Sequence, residues 1–336
     1  MSTIVLASPS SLIASLPFLV GFAPEESVVL VWLRDGSVVL TQRADLPRTV
    51  RQEWLLTLWQ HATAPVADSL VIVGISSDPG VSRLVVAVAE FAEMRRLLVR
   101  DALVVSNDVW SSVLCAEPSC CCHQPRVVPE SVRTAVAAEF AFLGVAPAPN
   151  RQALEIEVQA SEDHMVVKQL GYRGIRRPAT VRAVEMWRTR AIDETCAWLS
   201  GSTISKASLA RVISGLQDVR VRDVFLWDCA SAEHDALRRV IPRLQEAVRC
   251  APESMVAPVA TTCAVVWWLL GDGARARLSI GRCATADPEY LLGQLIAQAL
   301  AAGLPPSTWR AAATGISRQG CRDGTGVVAM PQKRVL

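Results

Sequence analysis

Residues 27–46, SVVLVWLRDGSVVLTQRADL, decide how the chain begins to fold. Residues 28–33 form a short, continuous, β-branched apolar run, and residues 38–46 carry a second one, each of strand rather than helix length. Between them Asp35-Gly36 supplies two residues that tolerate φ above zero, which a two-residue hairpin turn demands at both central positions. The stretch predicts an antiparallel hairpin and a sheet to hold it.

Working outward, Val50, Trp54, Leu55, Leu58 and Trp59 fall at helical spacing, Pro65 interrupts, and SLVIVGI (69–75) reads as a buried strand. SSDPG (76–80) then leads into a helix with Leu84, Val85, Val88, Phe91 and Ala92 on one stripe. A Ser/Asp/Gly loop between strand and helix offers free amides to a phosphate. Without a Gly-x-Gly or Gly-Lys-Ser/Thr pattern the simpler reading is preferred, with Asp78 as N-cap and Pro79 in the first helical position. Residues 101–105 and 109–114, around Asn107-Asp108, predict a second hairpin, and a helix follows from about Glu130 to Leu143.

Beyond Pro147-Ala148-Pro149 the strand signal disappears. Helical patterns recur at about 178–200, 205–216, 220–230, 232–249, 254–270, 274–286 and 289–302, the fourth with a kink expected at Pro242. The expected architecture is a mixed α/β domain with two hairpins and flanking helices (1–146), a linker and connecting segment (147–177), an all-α domain (178–310) and a flexible tail (311–336). Residues 267–300 have the look of one tetratricopeptide-type helical hairpin, but a solenoid needs about three repeats.

Composition fits a well-buried globular chain: 51% of its 336 residues are hydrophobic and 20% charged, with 34 basic residues against 32 acidic ones. That balance argues against the one-sided positive field of a nucleic-acid binder. The only local motive for one is Arg173, Arg176, Arg177, Arg182, Arg188 and Arg190, which also fit a solvated helix face. The uncharged segment 1–24 lacks a basic n-region and is broken by Pro9 and Pro17, so it reads as a buried loop with a short helix rather than a leader. Residues 255–271 fall short of a membrane span and read as a core helix. Ten cysteines without a secretory signal imply a reducing, cytoplasmic setting. Cys196, Cys229, Cys250, Cys263, Cys283 and Cys321 stand singly and behave as small apolar residues.

CAEPSCCCHQP (115–125) is the densest chemical feature. A structural zinc site wants four thiolate or imidazole ligands, and Cys115-x4-Cys120 meets only the loose edge of that spacing. Zinc is therefore the one candidate cofactor, with Cys115, Cys120 and Cys121 as its ligands and a fourth to come from distant His61, His164 or His234 or from another cysteine. The thiols also fit a reactive or redox role, or structural and incidental packing. A second candidate is the loop GFAPEES (21–27), since functional residues concentrate on loops held by rigid strands. Gly21, Pro24, Ser27 and Asp45 are its ligand-binding candidates. The competing account has Phe18, Leu19 and Phe22 plug a groove while Ser27 satisfies backbone groups. Asp45, Asp272 and Asp287 each have a structural reading as well, as strand end, turn residue and helix cap.

L-x-x-x-L-P-F-L-V-G-F-A-P-E-E-S-V-V (12–29), R-A-D-L-P (43–47), the cysteine passage 115–122, V-R-V-R-D (219–223), L-L-G-D-G-A-R-A with A-D-P-E-Y-L-L (269–292) and A-G-L-P-P (302–306) occur in that order. Together they resemble a widespread bacterial family of high-GC Gram-positives catalogued as a domain of unknown function, over roughly residues 8–310. The resemblance implies a cytoplasmic protein and carries over no activity, substrate or cofactor. In that family pattern Cys-Cys-Pro follows the first cysteine, whereas here Cys122 and His123 follow Cys120-Cys121, which sets those two apart from any inherited site. Four histidines and no complete catalytic motif favour a protein that binds a small molecule or a protein partner, without a membrane role. The alternative is an enzyme of hydrolase type, or thiol- or zinc-assisted, with its site on the α/β domain.

Overall fold

The computed structural model describes residues 8–60, 67–117, 124–161, 178–202 and 205–325. The chain divides into two compact units, Met1–Ala153 with Ala301–Gly303, and Leu154–Leu300 with Leu304–Leu336. Among the described residues no helix is long and apolar enough to cross a membrane.

The first unit is the mixed α/β body that the hairpin signals predict. Its helices are α1 (Pro9–Val20), α2 (Gln52–Gln60), α3 (Val81–Met94) and α4 (Glu130–Phe142), and its strands are β1 (Ser27–Arg34), β2 (Ser37–Asp45), β3 (Ser69–Ile75), β4 (Leu98–Ser106), β5 (Val109–Ser112) and β6 (Arg126–Val127). They form one sheet in the order β2-β1-β3-β4-β5-β6. Asp35 and Gly36 close the first hairpin at φ 50° and 77°, and Asn107 and Asp108 close the second at 49° and 68°, the left-handed pair that two-residue turns require. The first turn is further fixed by Asp68, whose carboxylate accepts the Asp35 N–H at 2.7 Å. The Ser69 hydroxyl and that N–H hold the Asp68 carboxyl below its usual range.

β1 runs antiparallel to both neighbours, while β3 and β4 are parallel. Helix α2 therefore carries the chain back across β1, and the adjacent parallel crossover is β3-α3-β4. On one face Val28, Leu30 and Trp32 pack with Leu70, Ile72 and the buried stripes of α2 and α3, where Trp59 meets both Trp32 and Phe91 edge-on. On the other lies α1, whose Ser10 hydroxyl accepts the Trp110 Nε1–H and whose Phe18 stacks on Phe140 of α4. Helix α3 starts at Val81, with Gly80 as N-cap. Asp78 instead accepts the Gly80 N–H at 2.7 Å, one step before the helix. The expected cap is thus an Asx turn, because Ser76 and Asp78 compete for the local amides before α3 begins.

The second unit is helical. Its elements are α5 (Arg151–Val158, which begins three residues ahead of the unit boundary), α6 (Val181–Ser200), α7 (Lys206–Gly215), α8 (Val219–Ser231), α9 (His234–Cys250), α10 (Val256–Leu269), α11 (Gly273–Ala286), α12 (Leu291–Ala301), α13 (Pro306–Thr314) and α14 (Arg318–Asp323). Helix α10 is buried on nearly every side, as its unbroken apolar sequence requires. Asp272 caps α11 by accepting the Arg275 N–H at 2.9 Å. Two expectations are corrected. Helix α5 occupies part of the 147–177 linker, and the expected loose tail contains the rest of α13 and all of α14. Helix α14 is too short to show periodicity, and side chains anchor it: Cys321 is buried, Trp227 donates to the Ile316 carbonyl at 2.9 Å, and Arg318 pairs with Asp228 at 2.6 Å.

The tightest steric constraint in the first unit is at Gly74 of β3. A Cβ there would lie 2.5 Å from a Val85 methyl and 2.8 Å from a Val81 methyl, both on α3. Gly74→Ala should destabilise the protein by about 1–3 kcal/mol through overpacking, read as a lower urea midpoint. An unchanged midpoint would show that α3 does not sit this close to the sheet.

Candidate ligand site at the end of the mixed sheet

In open α/β sheets ligands gather beyond the carboxyl ends of the parallel strands. Here β3 and β4 end at Ile75 and Ser106, and β1 enters from the same end, Ser27 pairing with Ile75 on one side and Asp45 on the other. The loop from Gly21 to Glu26 links α1 to β1. Gly21 takes φ 89° as the C-cap of α1, its N–H bonded to the Pro17 carbonyl at 2.9 Å. The Ala148 N–H donates to the Gly21 carbonyl at 2.9 Å, and the Ala23 N–H donates to the Ala148 carbonyl at 3.4 Å.

Glu26 holds the loop to the sheet. Its backbone adopts φ 39°, uncommon for a residue with a Cβ. Its carboxylate accepts the Ser76 hydroxyl at 2.8 Å and the Ser77 N–H at 3.4 Å, and its carbonyl accepts the Leu46 N–H at 3.1 Å. The protein's own carboxylate thus occupies the β3-α3 turn where a phosphate-binding loop would hold its ligand.

On the α1 face of the sheet, pairing places Ser27, Val29, Arg43 and Asp45 together. Arg43 bonds Asp45 at 2.5 Å and the Glu25 carbonyl at 3.2 Å, and its guanidinium lies 5.7 Å from the Phe22 ring centre. Arg151 reaches the other Asp45 oxygen at 3.8 Å. Ser27 is fully buried, and neither its Oγ nor the Arg43 Nε has a hydrogen-bond partner among the described residues. The expectation that Ser27 satisfies backbone groups is therefore corrected: it sits on the apolar α1 face, out of reach of a carbonyl.

The structure brings Gly21, Pro24, Ser27 and Asp45 to one corner, Gly21 and Pro24 buried and Asp45 exposed. Sequence reasoning missed Glu26, Arg43 and Ser76. The first two lie inside the quoted motifs, but nothing local shows that Glu26 reaches a turn fifty positions on.

The metal candidates fare differently. Cys115 is half-buried just after β5, while Cys120 and Cys121, with Cys122, His123, His61 and His164, lie outside the described residues. Among the described residues no cluster of three or more His, Cys, Asp or Glu side chains is placed to hold a metal. Arg173, Arg176 and Arg177 also lie outside them, and Arg188 is paired with Asp218 at 2.8 Å and Glu185 at 2.6 Å.

In the helical unit the two C-terminal motifs meet: Arg222 of V-R-V-R-D donates to the Tyr290 hydroxyl at 2.7 Å and pairs with Asp223 at 2.7 Å. Burial raises the Asp223 carboxyl above its usual range despite Arg222. Asp287 caps locally, accepting the Glu289 N–H at 3.0 Å. Burial pushes Cys196, Cys229, Cys283 and Cys321 above the ordinary thiol range and Cys263 to about 12.

The family model described as Domain of unknown function (DUF4192) matches residues 9–307, and the chain belongs to that family. No curated protein and no solved structure gave a match.

Two outcomes follow from this chemistry. Ser27→Ala removes a buried hydroxyl that lacks a partner, so it should raise stability by about 1 kcal/mol in urea unfolding; destabilisation would mean that Ser27 is satisfied. Thiols raised above their ordinary range carry less thiolate, so iodoacetamide at about pH 7.5 should label Cys196, Cys229, Cys263, Cys283 and Cys321 more slowly in the folded protein than after unfolding. Peptide mapping that finds equal labelling rates before and after unfolding would contradict this.

Proposed function

We propose that the protein is a binding protein that takes a small ligand at this end of the mixed sheet, under the Gly21–Glu26 loop. The observation that carries the reading is convergence. Residues 21–27, 43–46, 76–80 and 148–151, distant in sequence, meet at the strand ends and are tied by polar contacts rather than by core packing. Loops held this way on a rigid sheet are where recognition concentrates. The left-handed Glu26 supports it further, since non-glycine residues in that region persist only where surrounding contacts hold them, often at ligand clamps.

The loop acts as a cover. Gly21 supplies a pivot, and the Glu26 bonds to Ser76 and Ser77 hold it down. Releasing the cover should weaken retention of ligand without unfolding the sheet, because the apolar faces of β1 do not involve the Glu26 carboxylate.

Native mass spectrometry of the purified protein, with thermal unfolding in a small-molecule extract of its host cells, tests the reading. A ligand retained by the wild-type chain, or a raised unfolding temperature in the extract, should be lost or reduced at least tenfold in Glu26→Gly, which suits the backbone but lacks the carboxylate. No retained molecule and no thermal shift would contradict it.

A further inference from the structure

We infer that Ser27 Oγ and Arg43 Nε form a subsite for a neutral carbonyl oxygen, so that the ligand presents an amide at this point. The inference rests on the ligand-binding reading above and names the chemistry of the same site. Ser27 pairs with Asp45 and Val29 with Arg43, so Ser27 and Arg43 are diagonal neighbours on one face of the β1-β2 hairpin. Diagonal side chains across an antiparallel pair stand roughly 7–8 Å apart at the backbone, within joint reach of one small group. The Ser27 Oγ and the Arg43 Nε are buried atoms without a hydrogen-bond partner among the described residues, and Ser27 is fully buried at the start of β1. An Nε–H and a hydroxyl on one face of two paired strands suit a single acceptor with two lone pairs, which a carbonyl oxygen is.

The opposite face provides a contrast. Trp32 Nε1 and Gln42 Oε1 are also unpartnered and diagonal there, since Trp32 pairs with Leu40 and Leu30 with Gln42. They are a donor and an acceptor, so a small rotation lets each satisfy the other and no third group is called for. Ser27 and Arg43 differ in that Arg43 only donates, and Ser27 accepting from it would still leave the hydroxyl proton unpaired.

Charge selects a neutral acceptor over an anion. The Arg43 guanidinium is already neutralised by Asp45 at 2.5 Å and spends another N–H on the Glu25 carbonyl. Glu25, Glu26 and Asp45 are exposed at this end of the sheet, and Arg151 is the further cation that pairs with Asp45. A carboxylate or phosphate entering here meets more negative than positive charge. An amide meets two donors, the Phe22 ring and the buried Pro24, which match its polar and apolar parts.

The test uses the whole chain labelled with 15N-arginine, following the Arg43 Nε–H resonance, assigned through Arg43→Lys. The probes are N-methylacetamide, acetyl-alanyl-alanine N-methylamide and sodium acetate. Both amides should shift that resonance saturably, with affinity lowered at least tenfold in Ser27→Ala, and acetate should not. If the blocked dipeptide binds more than tenfold tighter than N-methylacetamide, the amide belongs to a peptide; comparable affinities assign it to a small molecule, and either result supports the subsite. A shift with acetate alone, or with no probe, overturns it. Retention of the co-purified ligand by Ser27→Ala at unchanged affinity also overturns the subsite while leaving the ligand reading intact, whereas absence of any ligand removes that reading.

Discussion

Burial of β1 on both faces is the constraint from which the first unit follows. Val28 to Val31 have no exposed surface, and Trp32 has almost none. A strand this apolar needs neighbours on both edges for its backbone groups and cover on both faces for its side chains. The β2 hairpin and β3 supply the edges, α2 and α3 one face, and α1 the other. The cover extends past the end of the strand, and Ser27 is consequently enclosed with it. A polar side chain without a partner in that position is the cost of running the apolar strand directly out of a tight loop, and it places hydrogen-bonding capacity where a ligand can use it.

The same constraint accounts for what could be read from the sequence. Both hairpins were legible because turn chemistry is local: Asp35-Gly36 and Asn107-Asp108 carry their φ requirement in their own identities. Most helices from Val181 to Ala301 were legible from an apolar stripe of their own, and α10 from an unbroken apolar run of helical length. Asp78 was misplaced because several short polar residues compete for the amides ahead of α3, and sequence alone does not choose among them. Helix α14 was missed because it is held by Arg318, Trp227 and Cys321 rather than by a pattern of its own.

The candidate site was legible in outline only. Gly21, Pro24, Ser27 and Asp45 sit in motifs whose residue types invite attention, and the fold brings them to one corner. The groups that organise it are the carboxylate of Glu26 and the guanidinium of Arg43. Their roles arise from pairings across the sheet, Ser27 with Ile75 and Val29 with Arg43, which are long-range facts that no window of sequence contains. The cysteine passage shows the reverse case, a conspicuous local pattern of whose cysteines Cys115 alone is among the described residues, half-buried after β5.

The most direct test of the account is amide hydrogen exchange of the whole chain with and without a small-molecule extract of its host cells. The account predicts added protection confined to residues 21–27, 43–46 and 76–80, with the helical unit unchanged. Protection centred on α8 and α12, or none anywhere, would contradict it.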